Sequence, residues 1–145
     1  EGKDQNRGRF GYQRGSAPTP AMTAEALLCL QFLGIARDDP RLQAGVQFLL
    51  GQLPMQGKES SYYWYYGTQV MHHLQGEPWS RWYGALRDML VKTQVSDGHL
   101  AGTWDPRDRW EQQAGRIYAT SLRLLMLEVW HRHLPLYQAL QRQPP

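Results

Sequence analysis

The chain has 145 residues, of which 41% are hydrophobic and 20% charged, and a formal net charge of +3. A chain of this length suits one domain with a real hydrophobic core. Its basic residues form no patch and no apolar run approaches the roughly 18 residues of a membrane helix, so the sequence predicts neither nucleic acid binding nor a transmembrane segment.

Helical patterns fill the chain between a Gly-rich opening and a polar end. Residues 1–18 show no apolar period and are predicted to form a loop, and residues 138–145 a C-terminal tail. Because Glu1 rather than a methionine opens the chain, we expect it to be part of a longer protein or to begin at a processing site. The region between, residues 19–137, is predicted to be an all-α domain. Its main helices are expected near residues 20–33, 40–53, 62–75, 78–94 and 113–133.

The predicted helices alternate in character along the chain. Thr19 and Asp39 can cap the first two helices, and each is followed by a proline at the first helical position. The first, third and fifth helices are apolar almost all round, which is typical of buried helices. The second and fourth carry a single apolar stripe. This order predicts inner helices that alternate with outer ones.

A weak repeat supports the same organisation. The tripeptides AMT, YGT and YAT end at Thr23, Thr68 and Thr120, which lie 45 and then 52 residues apart, and each is part of a buried helix. A period of this size with two helices per unit indicates stacked helical hairpins. Such hairpins close into an α/α toroid or stack as an open solenoid.

The segment between the fourth and fifth helices carries a motif. Leu90, Gln94, Gly102 and Trp104 follow the order aliphatic residue, glutamine, turn, Gly-x-Trp. This pattern resembles the QW motif of the terpene cyclase and prenyltransferase repeat families, and GRFGYQ at residues 8–13 resembles the glycine-aromatic strip before their inner helices. The similarity to squalene-hopene cyclase-like proteins covers most of residues 8–137. It implies a partial α/α toroid of about two and a half repeats.

The resemblance implies a scaffold and not an activity. The catalytic acid of the cyclases lies in a D-x-D-D motif, which is missing here, since Asp105 and Asp108 are only two carboxylates at another spacing. The zinc ligands of the prenyltransferases are not recognisable either, because Cys29 has no identifiable partners. No cofactor is predicted.

So few hairpins cannot close the ring of the toroid proteins. The terminal inner helices are therefore expected to expose apolar flanks that need a partner, either further repeats of the same polypeptide or a second copy. The residues expected on these flanks are Leu27, Leu28, Leu124 and Leu125.

The third helix carries the first candidate site. Tyr62, Tyr63, Tyr66 and His73 share one broad face of the helical wheel. In a toroid this face could line the central cavity, where Tyr and Trp rings suit sugars, isoprenoids and peptide segments. The same side chains could equally fill the core between helices, and the sequence leaves both interpretations open.

The loop before the fifth helix carries the second candidate site. Carboxylates next to tryptophans can serve as acid and base in glycoside hydrolysis. The nearby arginines at positions 107, 109 and 116 offer a different explanation, in which the carboxylates form ion pairs. The candidate residues are Trp104, Asp105, Asp108 and Trp110.

The histidines do not predict a metal site. His72 and His73 are adjacent on a helix, so their side chains point about 100° apart and cannot both face one ion. His131 and His133 diverge further, and His99 is alone in a loop.

Three functional classes follow. We expect a non-catalytic α/α-toroid repeat domain, part of a larger protein, that binds a protein or an apolar or other ligand. The first alternative is a segment of a squalene or terpene cyclase-like or prenyltransferase-like enzyme with its catalytic residues elsewhere. The second is a glycan-active α/α-toroid enzyme. The sequence does not indicate a cellular compartment.

Overall fold

The computed structural model describes residues 8–58 and 60–141, and this part of the chain is helical without any β-strand. The all-α prediction is confirmed. A short 3-10 turn at Gly98–Leu100 lies between α4 and α5. The helices are α1 (Pro20–Phe32), α2 (Pro40–Leu50), α3 (Ser61–Leu74), α4 (Gly76–Thr93), α5 (Arg109–Leu127), α6 (Val129–Arg132) and α7 (Leu136–Gln141).

The helices pack in two layers. The inner layer consists of α1, α3 and α5, with α3 in the middle in contact with both neighbours. The outer layer consists of α2, which packs on α1, and α4, which packs on α3. The inner helices α1 and α3 run parallel, because Glu25 meets Tyr62 near their starts while Gln31 meets Val70 about two turns later.

Caps explain where the first helices begin. The hydroxyl oxygen of Thr19 accepts a hydrogen bond from the Met22 amide (3.2 Å), and the Asp39 carboxylate accepts one from the Arg41 amide (2.7 Å). Each bond satisfies an amide that has no partner within its own helix. Both caps are the residues predicted from the sequence.

The core is built where α4 crosses α3. Trp82 of α4 is completely buried and lies over Gly67, where an added Cβ would approach its ring to 2.5 Å. Only glycine therefore permits this approach. The Trp82 indole donates to the Thr68 hydroxyl oxygen (3.0 Å), and that hydroxyl in turn donates to the Trp64 carbonyl (2.6 Å).

Several predicted boundaries need correction. The second helix ends at Leu50 rather than residue 53, and the fifth begins at Arg109 rather than residue 113. The fifth is also interrupted at Gly115, whose φ of +89° breaks the helical path, and it ends at Leu127. Residues 138–141, predicted as the start of a tail, belong to α7. Residues 1–7 of the predicted loop and 142–145 of the predicted tail lie outside the described residues.

The prediction of exposed apolar flanks fails for α1 and agrees with the structure for α5. Leu27 and Leu28 are buried (0% and 5% exposed), because α2 covers this side of α1 and its Gly45 lies directly against Leu27. The expectation that they are exposed was wrong. On α5, Leu124 is 42% exposed and Leu125 is half-buried.

Other apolar residues form the open flanks. Phe32 and Leu33 are exposed at the end of α1, and Ile117 (84%) lies two turns before Leu124 on α5. Residues seven apart share one face of a helix. Among the described helices, none has the length and apolar character needed to cross a membrane.

Candidate functional site

An open groove of about 730 Å³ lies on the inner layer near the first turns of α1, α3 and α5. We call it the inner groove. Its wall is mainly apolar and rich in aromatic rings, and its size falls in the range of ligand sites. It is lined by Tyr12, Ala21, Met22, Tyr62, Trp110, Gln113, Ala114 and Tyr118.

Tyr62 connects two helices at the groove. Its hydroxyl donates to Glu25 Oε2 of α1 (3.0 Å), and its ring lies 4.8 Å from that of Tyr66, one turn later on α3. Burial raises the pKa of Tyr62, and hydrogen bonding with Tyr66 and Glu25 raises it further. The phenol therefore stays neutral and acts as a hydrogen-bond donor.

Of the four residues predicted for this cavity, Tyr62 lines the inner groove and Tyr66 packs against Tyr62, whereas Tyr63 and His73 lie elsewhere. Tyr63 is buried on the side of α3 that faces the outer layer, where its ring meets Trp82 edge-on and its hydroxyl donates to the Leu49 and Gln52 carbonyls. A smaller cavity of about 530 Å³ lies beside it. Tyr63 and Tyr62 therefore line different cavities, because α3 is covered on several sides at once.

His73 is the other predicted residue that lies away from the inner groove. It is 4% exposed and lies at the far end of α3, under the segment of residues 133–138, which we call the C-terminal segment. Its Nδ1 accepts a hydrogen bond from the Leu136 amide (3.3 Å). The neighbouring His72 bonds through Nε2 to the carbonyl of His133 (2.8 Å). These two histidines hold the C-terminal segment on the central helix.

Acid is expected to weaken the fold through His73. Burial, followed by the charges of His72 and His133, lowers its pKa from 6.5 to about 4. Between these values the unfolded chain binds a proton that the folded chain does not, so stability is complete above pH 6.5 and falls until about pH 4. At roughly 1.36 kcal/mol per pKa unit, the loss is about 3 kcal/mol. Urea unfolding over this pH range measures it.

The variant His73→Asn isolates this effect. An asparagine oxygen can accept the Leu136 amide at the position of Nδ1 but does not titrate, so the slope of stability between pH 6.5 and 4 should flatten. The control is His99→Asn, since His99 is exposed in the loop and should leave the slope unchanged. An unchanged slope in the His73 variant would contradict the assignment.

The QW-like residues form one local unit. Trp104 is 2% exposed, and its indole donates to the Leu90 carbonyl near the end of α4 (2.8 Å). The Gln94 side-chain amide donates to the Gly102 carbonyl (2.9 Å) in the adjoining loop. Trp104 therefore joins the loop to the outer layer, as its place in the QW-like motif implies, and its ring is covered by protein.

The loop also repeats a contact made at the start of the chain. The Trp104 amide donates to the Thr120 hydroxyl oxygen of α5 (3.2 Å), and the Phe10 amide donates to the Thr23 hydroxyl oxygen of α1 (3.0 Å). In both cases a Gly-x-aromatic strip lies on the threonine of an inner helix. The threonines are those that the sequence repeat singled out.

The candidate carboxylates have structural partners. Asp105 forms an ion pair with Arg116. One oxygen of Asp108 accepts from the Trp110 and Glu111 amides at the start of α5, and the other accepts from the Ser61 amide at the start of α3 (2.9 Å). Asp108 therefore caps two helices and is not free for acid–base chemistry. Trp110 is 59% exposed and belongs to the inner groove.

A buried ion pair was missed from the sequence. Glu111 (0% exposed) and Arg123 (2%) bond through both carboxylate oxygens, and the Ser61 hydroxyl donates to the same carboxylate. Burial tends to raise the pKa of Glu111, but hydrogen bonds from Arg123, the Arg107 amide and Ser61 outweigh it and leave the pKa below its usual value. The Asp-x-x-Glu spacing of a capping box was the one signal for Glu111.

The described residues contain no group of three or more histidine, cysteine or carboxylate side chains placed to hold a metal ion. His131 and His133 are exposed near the C-terminal end, away from the inner groove. The site is thus an aromatic groove in which the lining residue Tyr62 donates to the Glu25 carboxylate.

Comparison with known proteins adds no family assignment. Neither protein-family models, nor curated proteins, nor solved structures gave a match to this chain.

Proposed function

We propose that this chain is a non-catalytic repeat domain of the α/α-toroid type, part of a larger helical array, that binds a protein or other ligand in its inner groove. The observation that carries the proposal is the groove itself. Exposed and half-buried aromatic rings line it together, and such surfaces on a folded domain mark binding sites. Tyr and Trp are also the residues that dominate binding energy at protein interfaces.

The polar clusters support binding over chemistry. The Glu111 carboxylate is neutralised by Arg123, both oxygens of Asp108 cap helices, and Asp105 is paired with Arg116. A general acid or base needs a carboxyl group that reaches the substrate and exchanges its proton there. These carboxylates are engaged in holding helices together, which disfavours the glycan-active alternative.

The toroid type is supported by layering and repetition. Parallel inner helices with outer helices packed behind them agree with the architecture that the QW-like motif implies. The paired contacts of Phe10 with Thr23 and Trp104 with Thr120 add a second, structural repeat. The alternative of a cyclase-like or prenyltransferase-like segment uses the same scaffold and would need catalytic residues outside the groups described above.

Binding in the inner groove is testable with Nile red, an uncharged apolar dye. The dye should bind the folded protein with a rise in fluorescence, and Ala114→Trp should abolish binding because the new ring fills the groove. Ala101→Trp adds the same ring at an exposed loop position outside the groove and is the control. Equal dye binding by both variants would show that the groove is not the site.

Self-association is the expected behaviour of the isolated chain. The open flank of α5 exposes Ile117 (84%) and Leu124 (42%), which need an apolar partner when no further repeat covers them. Sedimentation velocity should therefore show a coefficient that rises with protein concentration. The double variant Ile117→Lys with Leu124→Lys should remain monomeric without loss of stability, since both sites face solvent. A wild-type chain that is monomeric at all concentrations would contradict this expectation.

A further inference from the structure

We propose that the inner groove takes an organic cation with an apolar body, whose charged group lies beside Tyr62 and the carboxylate of Glu25. The inference rests on the proposed function for the existence of a ligand site. It adds the chemical class of the ligand.

The Glu25 carboxylate favours a cationic group beside the groove. Glu25 lies one turn after Ala21 and Met22 on α1, two residues that line the groove. Its Oε2 accepts the Tyr62 hydroxyl, and no lysine or arginine of the described chain forms an ion pair with it. A carboxylate has about four acceptor positions, so one phenol leaves most of its capacity unused. A half-buried carboxylate of this kind favours a cation, because its charge is less screened than in water.

The aromatic rings of Tyr62 and Tyr66 favour a cation as well. The face of an aromatic ring attracts cations, and this attraction strengthens where water is excluded. The rings of Tyr62 and Tyr66 lie 4.8 Å apart at an angle of 59°, next to Glu25. The groove's other wall already shows this preference, because Arg109 Cζ lies 5.3 Å from the centre of the Trp110 ring. The Tyr62 side is therefore the one left for the charge of a ligand.

An anionic ligand fits the groove less well. Helix starts attract anions through their free amides, but here a side-chain oxygen already accepts from an amide at each start. Thr19 accepts from the Met22 amide of α1, and Asp108 accepts from amides at the starts of both α3 and α5.

The volume of the inner groove indicates that the ligand is larger than its cationic group. A small ammonium group fills only a fraction of about 730 Å³. The remaining wall is formed by apolar groups of Met22, Ala114 and Tyr118, which offer no further charge. The ligand therefore combines one cationic group with an apolar body.

The test uses three soluble probes with the same hexyl chain: hexyltrimethylammonium, hexanesulfonate and 1-hexanol. Binding is followed by NMR through the Trp110 indole N–H signal, which is assigned with Trp110→Phe. We expect hexyltrimethylammonium to bind about tenfold or more tightly than the other two. Glu25→Gln, which keeps an acceptor for Tyr62, should remove that preference while leaving 1-hexanol binding unchanged. Glu128→Gln removes the same charge at the far end of α5 and should change nothing.

The outcomes separate the two proposals. Equal affinity for the three probes, or a preference that survives Glu25→Gln, overturns the cation inference and leaves an apolar groove. Binding of Nile red but of none of the hexyl probes would likewise overturn the cation inference and leave an apolar groove. If Nile red also fails to bind in the groove, the proposed function itself is wrong.

Discussion

Replacing Trp104 by alanine is expected to lower the free energy of unfolding by about 3–5 kcal/mol. The ring is 2% exposed and its indole donates to the Leu90 carbonyl, so the substitution leaves both a cavity and a buried carbonyl with one bond fewer. This loss is a large part of the roughly 5–15 kcal/mol that stabilises a domain. For a chain of this size it corresponds to a fall in melting temperature of roughly 10–20 °C.

Two further variants make the Trp104 test specific. Gln94→Ala removes one exposed hydrogen bond to the Gly102 carbonyl and should cost only about 0.5–1 kcal/mol. Trp110→Ala removes an equally large ring that is 59% exposed and should leave the melting temperature nearly unchanged. Thermal melts of the three variants beside the parent provide the measurement. An unaltered melting temperature for Trp104→Ala would show that the ring does not join the loop to α4.

The Glu111–Arg123 pair carries the second large effect. Glu111→Ala leaves the Arg123 guanidinium buried without its counter-charge, which typically costs about 3–5 kcal/mol. It also removes the acceptor of the Ser61 hydroxyl, so the start of α3 loses a partner. Chemical denaturation of the variant measures the loss.

A double variant separates the pair from the rest of the core. Glu111→Gln with Arg123→Met removes both charges at once, and it should be more stable than Glu111→Ala because no unpaired charge remains buried. Glu128→Ala, on an exposed site just after the same helix, should stay within about 0.5 kcal/mol of the parent. If Glu111→Ala were as harmless as Glu128→Ala, the carboxylate would have no structural role.

The helix starts could be predicted because their signals are local. Thr19 and Asp39 lie next to prolines, and a cap needs only the first turn that follows it. The interruption at Gly115 was missed, because the mostly polar residues 109–114 show no apolar period and the helix was expected to begin only at residue 113. Yet it decides the Glu111–Arg123 contact. In a straight helix, 12 residues span roughly 18 Å, which an arginine cannot reach across. The break lets residues 109–114 lie back beside the rest of α5.

The candidate site was predicted in part for a related reason. A helical wheel groups Tyr62, Tyr63 and His73 but does not say which neighbour covers each of them. Tyr62 meets α1 at the groove, Tyr63 meets the outer layer, and His73 meets the C-terminal segment. These neighbours are distant in sequence, and only the packing of the layers reveals them. Tyr12 and Tyr118 of the groove were missed for the same reason.

The central position of α3 ties its unfolding to that of the whole domain. Its partners come from both ends of the described chain, because α1 and α5 flank it, α4 crosses it and the C-terminal segment bonds to its histidines. No neighbour can leave without uncovering part of it. Amide hydrogens in the middle of α3 should therefore exchange with solvent only when the whole domain unfolds, and their exchange rates report its global stability.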